Sequence, residues 1–285
     1  MSKPTIRPVK IIAHRGMGQG LVESGAPPEN TLPAFKAGWD TGAHACELDV
    51  HVTRDGQVIV IHDSTTNRTT NASWVVAEHT ADELRSLDAG RWKGLRWAGT
   101  RLPLLSEVLA IIPDGRQLYI ELKDGPQVVP ATADAIRRSG KGPSQIVFIS
   151  FDIDTIAAAK AALPKFDCLL IVVFQADDSH GRWNVLYDEG PGFRTVTAVY
   201  DQKALFQLVR KYRLDGIDSS FVMPASLVKA TLDAGLSFVT WTVDDPQIAL
   251  DLVAMGVTAI TTDRPKAVRE ALGRAGIRTI SVGEG

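Results

Sequence analysis

The sequence predicts an α/β fold, a (β/α)8 TIM barrel with a small capping insertion between the second and third barrel strands. Apolar, β-branched runs of strand length alternate with helical segments through most of the 285 residues. Such alternation implies a parallel sheet with helices on its faces. Eight βα units can be counted, which favours a closed barrel over the open doubly wound sheet that the alternation would also accept. The charged motifs, moreover, stand at the ends of strand-like runs, where barrel active sites gather.

The strand-like runs are 9–13, 45–50, 117–122, 145–149, 168–174, 214–218, 237–241 and 258–261. Helical segments lie between them, at 31–39 and 152–163 among others. In 201–212, Leu205, Leu208, Val209 and Tyr212 recur at i, i+3, i+4 and i+7, one apolar stripe. Asp245-Pro246 reads as an N-cap with proline at the first helical position, opening a helix to 255.

One run breaks the alternation. Residues 58–61 follow Arg54-Asp55-Gly56 with no room for a helix. Asp-Gly between two β-rich runs signals a hairpin, so 50–53 and 58–61 should pair antiparallel. Glu47 then falls roughly opposite Asp63, and His62 returns to the neighbourhood of Glu47 and Asp49. The polar stretch 64–101 reads as an excursion that caps the barrel. A second irregular stretch, 175–200, should also lie over the mouth, and the tail from Gly276 should be loosely attached. One domain, 1–285, is expected, with its insertion at about 51–103.

Composition narrows the partners. With 45% hydrophobic and 22% charged residues the chain can bury a full core. Its 31 basic against 33 acidic residues leave no charge excess for nucleic acid or anionic lipid. No uncharged stretch approaches the ~18–20 apolar residues of a membrane helix, so no stable membrane insertion is expected. The first ten residues lack the apolar centre of a secretory signal. Cys46 and Cys168 lie in strand-like runs, which suits a reducing compartment. A cytoplasmic protein is the expectation, and homo-oligomer formation stays open.

Four motifs carry the chemistry: His14-Arg15-Gly16, Glu47-Leu48-Asp49, His62-Asp63 and Glu121-Leu122-Lys123. Residues i and i+2 of a strand share a face, so Glu47 and Asp49 point together. Glu121 ends the next predicted barrel strand, and three converging carboxylates would select one hard divalent cation, Mg²⁺ or Ca²⁺. Two histidines suit a proton-in, proton-out cycle. Arg15 and Lys123 offer the fixed positive charge that a phosphodiester requires, with a structural ion-pair role as the lesser alternative for Arg15. His44, His51, His79 and His180 read as surface or packing residues, with His180 the one placed to touch substrate. Gly16, Gly18 and Gly20 are spaced G-x-G-x-G, and Pro27-Pro28 intervene before any helix, so a dinucleotide turn is not expected.

Together these residues resemble the glycerophosphodiester phosphodiesterase family, within the phospholipase-C-like barrels. The matching runs are His14-Arg15-Gly16, Pro28-Glu29-Asn30-Thr31, Glu47-Leu48-Asp49, Thr53-Arg54-Asp55-Gly56, His62-Asp63, Glu121-Leu122-Lys123, Trp241-Thr242-Val243 and Thr261-Thr262-Asp263-Arg264-Pro265. Arg68-Thr69-Thr70-Asn71 is similar to the family as well. The resemblance implies hydrolysis of a small-molecule glycerophosphodiester to glycerol 3-phosphate and an alcohol. It implies a cation held by Glu47, Asp49 and Glu121, catalysis by His14 and His62, and phosphate contacts from Arg15 and Lys123; the two-histidine reading itself assigns His14 as base and His62 as acid, with a cyclic phosphate between the two steps. Phe151 and Trp241 would line the glycerol pocket. The links 15–28 and 175–200 depart from the family pattern and bear on the leaving group. The alternatives are another phosphodiesterase on the same barrel, phospholipase-D-like included, a sugar-phosphate isomerase or aldolase, and an inactive phosphate-ester-binding module.

Overall fold

The computed structural model describes residues 8–17, 25–190 and 194–280. Its strands are β1 (Lys10–Ala13), β2 (Ala45–Val52), β3 (Val58–Val60), β4 (Gln117–Leu122), β5 (Ile146–Ser150) and β6 (Asp167–Asp177), then β7 (Arg182–Glu189), β8 (Arg194–Val199), β9 (Gly216–Ser220), β10 (Ser237–Trp241) and β11 (Ala259–Thr262). Helices α1 (Leu32–Asp40), α2 (Ala81–Arg85), α3 (Leu105–Ala110), α4 (Val128–Ser139) and α5 (Ile153–Ala162) precede β6. The later ones are α6 (Gln202–Lys211), α7 (Leu227–Asp233), α8 (Pro246–Ala254) and α9 (Pro265–Arg274).

Eight of the strands close in parallel, in the order β1, β2, β4, β5, β6, β9, β10 and β11. The β5–β6 pairing and the β1–β11 pairing leave this ring no open edge. The predicted barrel is therefore the fold. Alternate residues face inward: Ile12, Ala45, Tyr119, Val147, Ile149, Leu169, Ile171, Val239 and Ala259 fill the interior. Cys46, Leu48 and Val50 of β2 face the outer layer, where Phe35, Leu105, Ile136, Val209 and Leu252 of the helices cover them and their neighbours. Each such side chain, once fully buried, contributes roughly 1.5–3 kcal/mol of hydrophobic stabilisation. Helices start where polar caps permit: Asp152, Asp201 and Asp245 each accept backbone N–H bonds at the N-termini of α5, α6 and α8.

The hairpin forms as the Asp-Gly turn predicts. Val50, His51 and Val52 of β2 pair antiparallel with Val60, Ile59 and Val58. The excursion between β2 and β4 then packs on its own small apolar cluster of Ile59, Ile61, Val76, Leu84, Ala89 and Leu102.

Two expectations need correction. The stretch 175–200 is not irregular: β6 runs on past the barrel and pairs with β7, which pairs with β8, an antiparallel meander. Trp183 and Tyr187 of β7 pack against the outer apolar layer, and alternation within Arg182–Glu189 explains how they do so. The tail is also tied down. Val9 donates to Arg278, Ile280 donates to Val9, and Val9 bridges Thr279, so the chain is hydrogen-bonded as far as 280. Gly18 and Gly20 of the glycine run lie outside the described residues. Among those described, no helix is long and apolar enough to cross a membrane.

Candidate active site

Strand register brings the acidic motifs together. Asp49 of β2 lies beside Glu121 of β4, and Glu47 lies two residues earlier on the same face. Glu47, Asp49 and Glu121 are all buried, and one oxygen from each falls within 4.8 Å of the others. Lys123 Nζ donates to Glu121 at 2.6 Å and stands 3.2 Å from Asp49 Oδ1. That second contact lacks hydrogen-bond geometry, so Asp49 Oδ1 is a buried oxygen without a hydrogen bond. Asn30 donates to Asp49 Oδ2 at 2.8 Å, and the backbone N–H of Arg15 donates to Glu47 at 2.9 Å.

Those two bonds need unusual backbone. Arg15 (φ 50°) and Asn30 (φ 56°) are non-glycine residues in the left-handed region, a conformation that persists only where surrounding contacts hold it. Gly16 (φ 83°) completes the turn. A Cβ there would meet the backbone of Ala34 and Phe35 at 2.7 Å, so the glycine of His14-Arg15-Gly16 lets α1 pack under the turn.

The electrostatics are those of crowded like charges. Burial and then the neighbouring Asp49 push the Glu47 carboxyl up to about 8. Burial raises Glu121 as well, with Lys123 opposing, whereas the charges of Lys123 and Arg15 overcome burial and hold Asp49 well below the usual carboxylate range. Three converging oxygen ligands, one of them unbonded, fit a hard divalent cation. Glu47, Asp49 and Glu121 are the residues that would hold it. Asp63, expected close to this cluster, is occupied elsewhere.

Both motif histidines are backed by a carboxylate. His14 Nδ1 donates to Asp263 at 2.7 Å, leaving Nε2 4.0 Å from Glu47. His62 Nδ1 donates to Asp63 at 2.6 Å. Arg68 clamps that Asp63 and also donates twice to Glu29, both at 2.8 Å, while Glu29 accepts from Arg15 Nη1. Arg15 is thus an ion-pair partner and yet lines the cavity described below. The two imidazoles are pushed apart. Burial works against charge at both, but Asp263 and Glu47 outweigh it and raise His14, whereas His62 ends lowered with Lys123 and Arg15 against it. His51, read as packing, is buried with its ring between Asp124 and the backbone carbonyl of His62, so it braces the hairpin residue that carries the second imidazole. His180 lies in an exposed turn bonded to Asp177 and is not on the cavity wall.

These groups open onto a cavity of about 190 Å³ at the C-terminal end of the strands. His14, Arg15, Glu47, His62, Glu121 and Lys123 form one side; Ile149, Phe151, Ile171, Asp218, Trp241, Thr242 and Thr261 form the other. Phe151 and Trp241 meet edge to face, centroids 5.7 Å apart. A larger cavity of about 690 Å³ at the opposite end of the barrel includes Lys10, Asp167 and Arg278 but neither histidine nor any of the three clustered carboxylates. Barrel chemistry belongs to the C-terminal face.

The model of the glycerophosphoryl diester phosphodiesterase family matches residues 14–267. The chain belongs to this family. It is an enzyme, a phosphoric diester hydrolase, as its motifs imply. It is 33% identical to YhdW of Bacillus subtilis (strain 168), over 90% of this chain and 94% of that one. A glycerophosphodiester phosphodiesterase of Caldanaerobacter subterraneus subsp. tengcongensis is 29% identical across 93% of this chain and 98% of its own. Among solved structures, a phosphodiesterase of Oleispira antarctica, in complex with its product sn-glycerol-3-phosphate, superposes with a TM-score of 0.77 at 24% identity, covering 93% of this chain and 96% of that one. That likeness is one of fold.

Within the family frame, the side chains absent from the sequence reading are the supporting ones. Asp263, Glu29 and Arg68 lie within the family-like motifs, and nothing local in those motifs names their partners. Asp218 belongs to no such motif, and its one signal in the sequence is a carboxyl at the end of the predicted strand 214–218.

Proposed function

We propose that the enzyme hydrolyses glycerophosphodiesters to glycerol 3-phosphate and an alcohol, with His14 and His62 moving protons and one divalent cation at Glu47, Asp49 and Glu121. The observation that carries this reading is a cluster of three buried carboxylates, two of which line one small cavity together with two carboxylate-backed histidines.

In the proposed course the glycerol 2-hydroxyl attacks phosphorus in line while His14 Nε2 takes its proton. His62 Nε2 gives a proton to the departing alcohol, and a cyclic phosphate results. Water then opens the ring with the roles exchanged: His62 takes a proton from water and His14 returns one to the 2-oxygen. Position supports this direction. The His14 side chain is deep, 13% exposed and beside Glu47, whereas that of His62 is 31% exposed, on the side where an alcohol can leave. When bound, a cation would lower the hydroxyl's pKa, neutralise phosphoryl charge and offset the pull of Glu47 on His14. Lys123 and Arg15, both on the cavity wall, supply positive charge to the phosphate. Phe151 and Trp241 enclose the glycerol carbons.

Incubation with glycerophosphocholine tests the reading. Glycerol 3-phosphate should appear, should vanish with a chelator, and should return with Mg²⁺ or Ca²⁺. Release of phosphocholine instead would point to another phosphodiesterase chemistry on this barrel. No turnover with any glycerophosphodiester would leave only a binding module.

A further inference from the structure

Among the described residues, Asp218 is the one carboxyl on the cavity wall outside the acidic cluster, and burial, then the nearby charges of Glu121 and Glu47, push it well up, toward its neutral form. It projects from β9 between its register partners Ile171 of β6 and Val239 of β10, both of which face the barrel interior. That places it one inward-facing layer beneath Trp241, toward the floor of the cavity it lines. Asp218 is 2% exposed, and its Oδ1 is buried without a hydrogen bond. Buried polar atoms are nearly always bonded, and an unpaired one is costly enough to need an explanation. Nothing in the proton transfers above uses it. Its wall is otherwise Ile149, Ile171, Phe151, Trp241 and two threonines, a surface suited to a short carbon chain with a polar end.

The shape of the cavity says which part of a diester goes there. At about 190 Å³ it is smaller than the ~300–1,000 Å³ that encloses a drug-sized ligand, so it can hold little beyond a three-carbon unit and its phosphate. The alcohol that departs must face the mouth. The glycerol end therefore points down, past Phe151 and Trp241, toward Asp218. We propose that Asp218 is a specificity-determining residue, accepting a hydrogen bond from the terminal hydroxyl of the glycerol unit, the one farthest from phosphorus. This rests on the glycerophosphodiester reading and extends it. The enzyme would then select a polyol by an acceptor that a deoxy analogue leaves unpaired, the arrangement that discriminates most strongly against a missing hydroxyl.

The test compares two phosphate monoesters by calorimetry, without turnover and with Mg²⁺ present: sn-glycerol 3-phosphate and 2-hydroxypropyl phosphate, which lacks only the terminal hydroxyl. The wild-type protein should prefer glycerol 3-phosphate by ~10–100-fold, the scale of leaving a buried polar atom without its hydrogen bond. In Asp218→Leu, branched like the carboxyl and free of the unpaired oxygen, the ratio should fall to about 1, while Asp218→Asn, which can still accept, should keep part of it. Equal wild-type affinities, or an unchanged preference in Asp218→Leu, would overturn the assignment. So would a tenfold or greater loss of Mg²⁺ affinity in Asp218→Leu, since the carboxyl would then belong to the ion. The binding ratio does not depend on catalysis, so a protein that hydrolyses no glycerophosphodiester fails the functional reading while this ratio is still judged by itself.

Discussion

His14 and Asp263 lie 249 positions apart and are joined by a 2.7 Å hydrogen bond. The closing pairing of the barrel makes this possible: Ala13 is in register with Thr262, so the next residue of each strand leaves the rim side by side. The bond holds Nδ1 against a carboxylate and leaves Nε2 for the cavity, the arrangement that orients a histidine base. The first and last barrel strands thus build one functional unit.

Asp263→Asn should therefore act through His14 and spare binding. The shape is kept, but the ring loses the charge that fixes its orientation and favours the imidazolium formed during transfer. kcat should fall at least ~10-fold and by no more than the ~10²–10⁴ that a general base contributes, with KM little changed. Steady-state kinetics with a thermal-melt control check this. A drop confined to KM would count against the role.

His62→Ala should cost at least ~10²-fold in turnover. The leaving alcohol sets a second condition: an activated leaving group, which needs little protonation, should recover part of the loss. A substrate lacking the glycerol 2-hydroxyl should be inert with the intact enzyme. Its hydrolysis at a normal rate would mean that water attacks phosphorus directly, and the cyclic phosphate would have to be abandoned.

Why some of this could be read from sequence, and some could not, follows from where the information sits. Glu47, Asp49 and Glu121 are legible because strand parity and neighbouring strands determine their meeting, and both are local or nearly local properties. The hairpin that returns His62 is announced by Asp55-Gly56. Asp263 as the partner of His14 needs barrel closure, a contact of the highest sequence separation. The Arg68–Glu29–Asp63 clamp needs the fold of the capping excursion, whose polar sequence has no period to read. The 175–200 meander is harder to read because Asp177, Asp178, Asp188 and Glu189 crowd its strand ends and turns, so that the alternation of Trp183, Val185 and Tyr187 stands alone in a polar stretch.

Lys123 stands between two of the carboxylates, 2.6 Å from Glu121 and 3.2 Å from Asp49. In the metal-free protein it is their main counter-charge. Lys123→Met should remove that charge from buried partners and destabilise the metal-free protein by about 3–5 kcal/mol, the usual cost of breaking a buried pair from one side. Saturating Mg²⁺ or Ca²⁺ should restore much of the stability without restoring activity, because the phosphate still lacks its lysine. Urea unfolding with and without ion separates the two effects. An unchanged midpoint would place the compensating charge elsewhere.

The ion itself should bind against a proton. With its carboxyl pushed up to about 8, Glu47 is mostly protonated at pH 7 in the metal-free protein, and a cation requires the carboxylate. Binding should then release close to one proton, seen as a buffer-dependent heat in calorimetry. The sign is definite: affinity should rise by roughly tenfold per pH unit from pH 6 to about 8 and level off above. Glu47→Gln should weaken binding and flatten this slope together, while Glu121→Gln should weaken binding and keep the slope. Both variants should remain folded, since each swaps a crowded carboxyl for a neutral group of the same shape. An affinity independent of pH between 6 and 9, or turnover that survives exhaustive chelation, would require a different account of why three carboxylates are buried together at the mouth of this barrel.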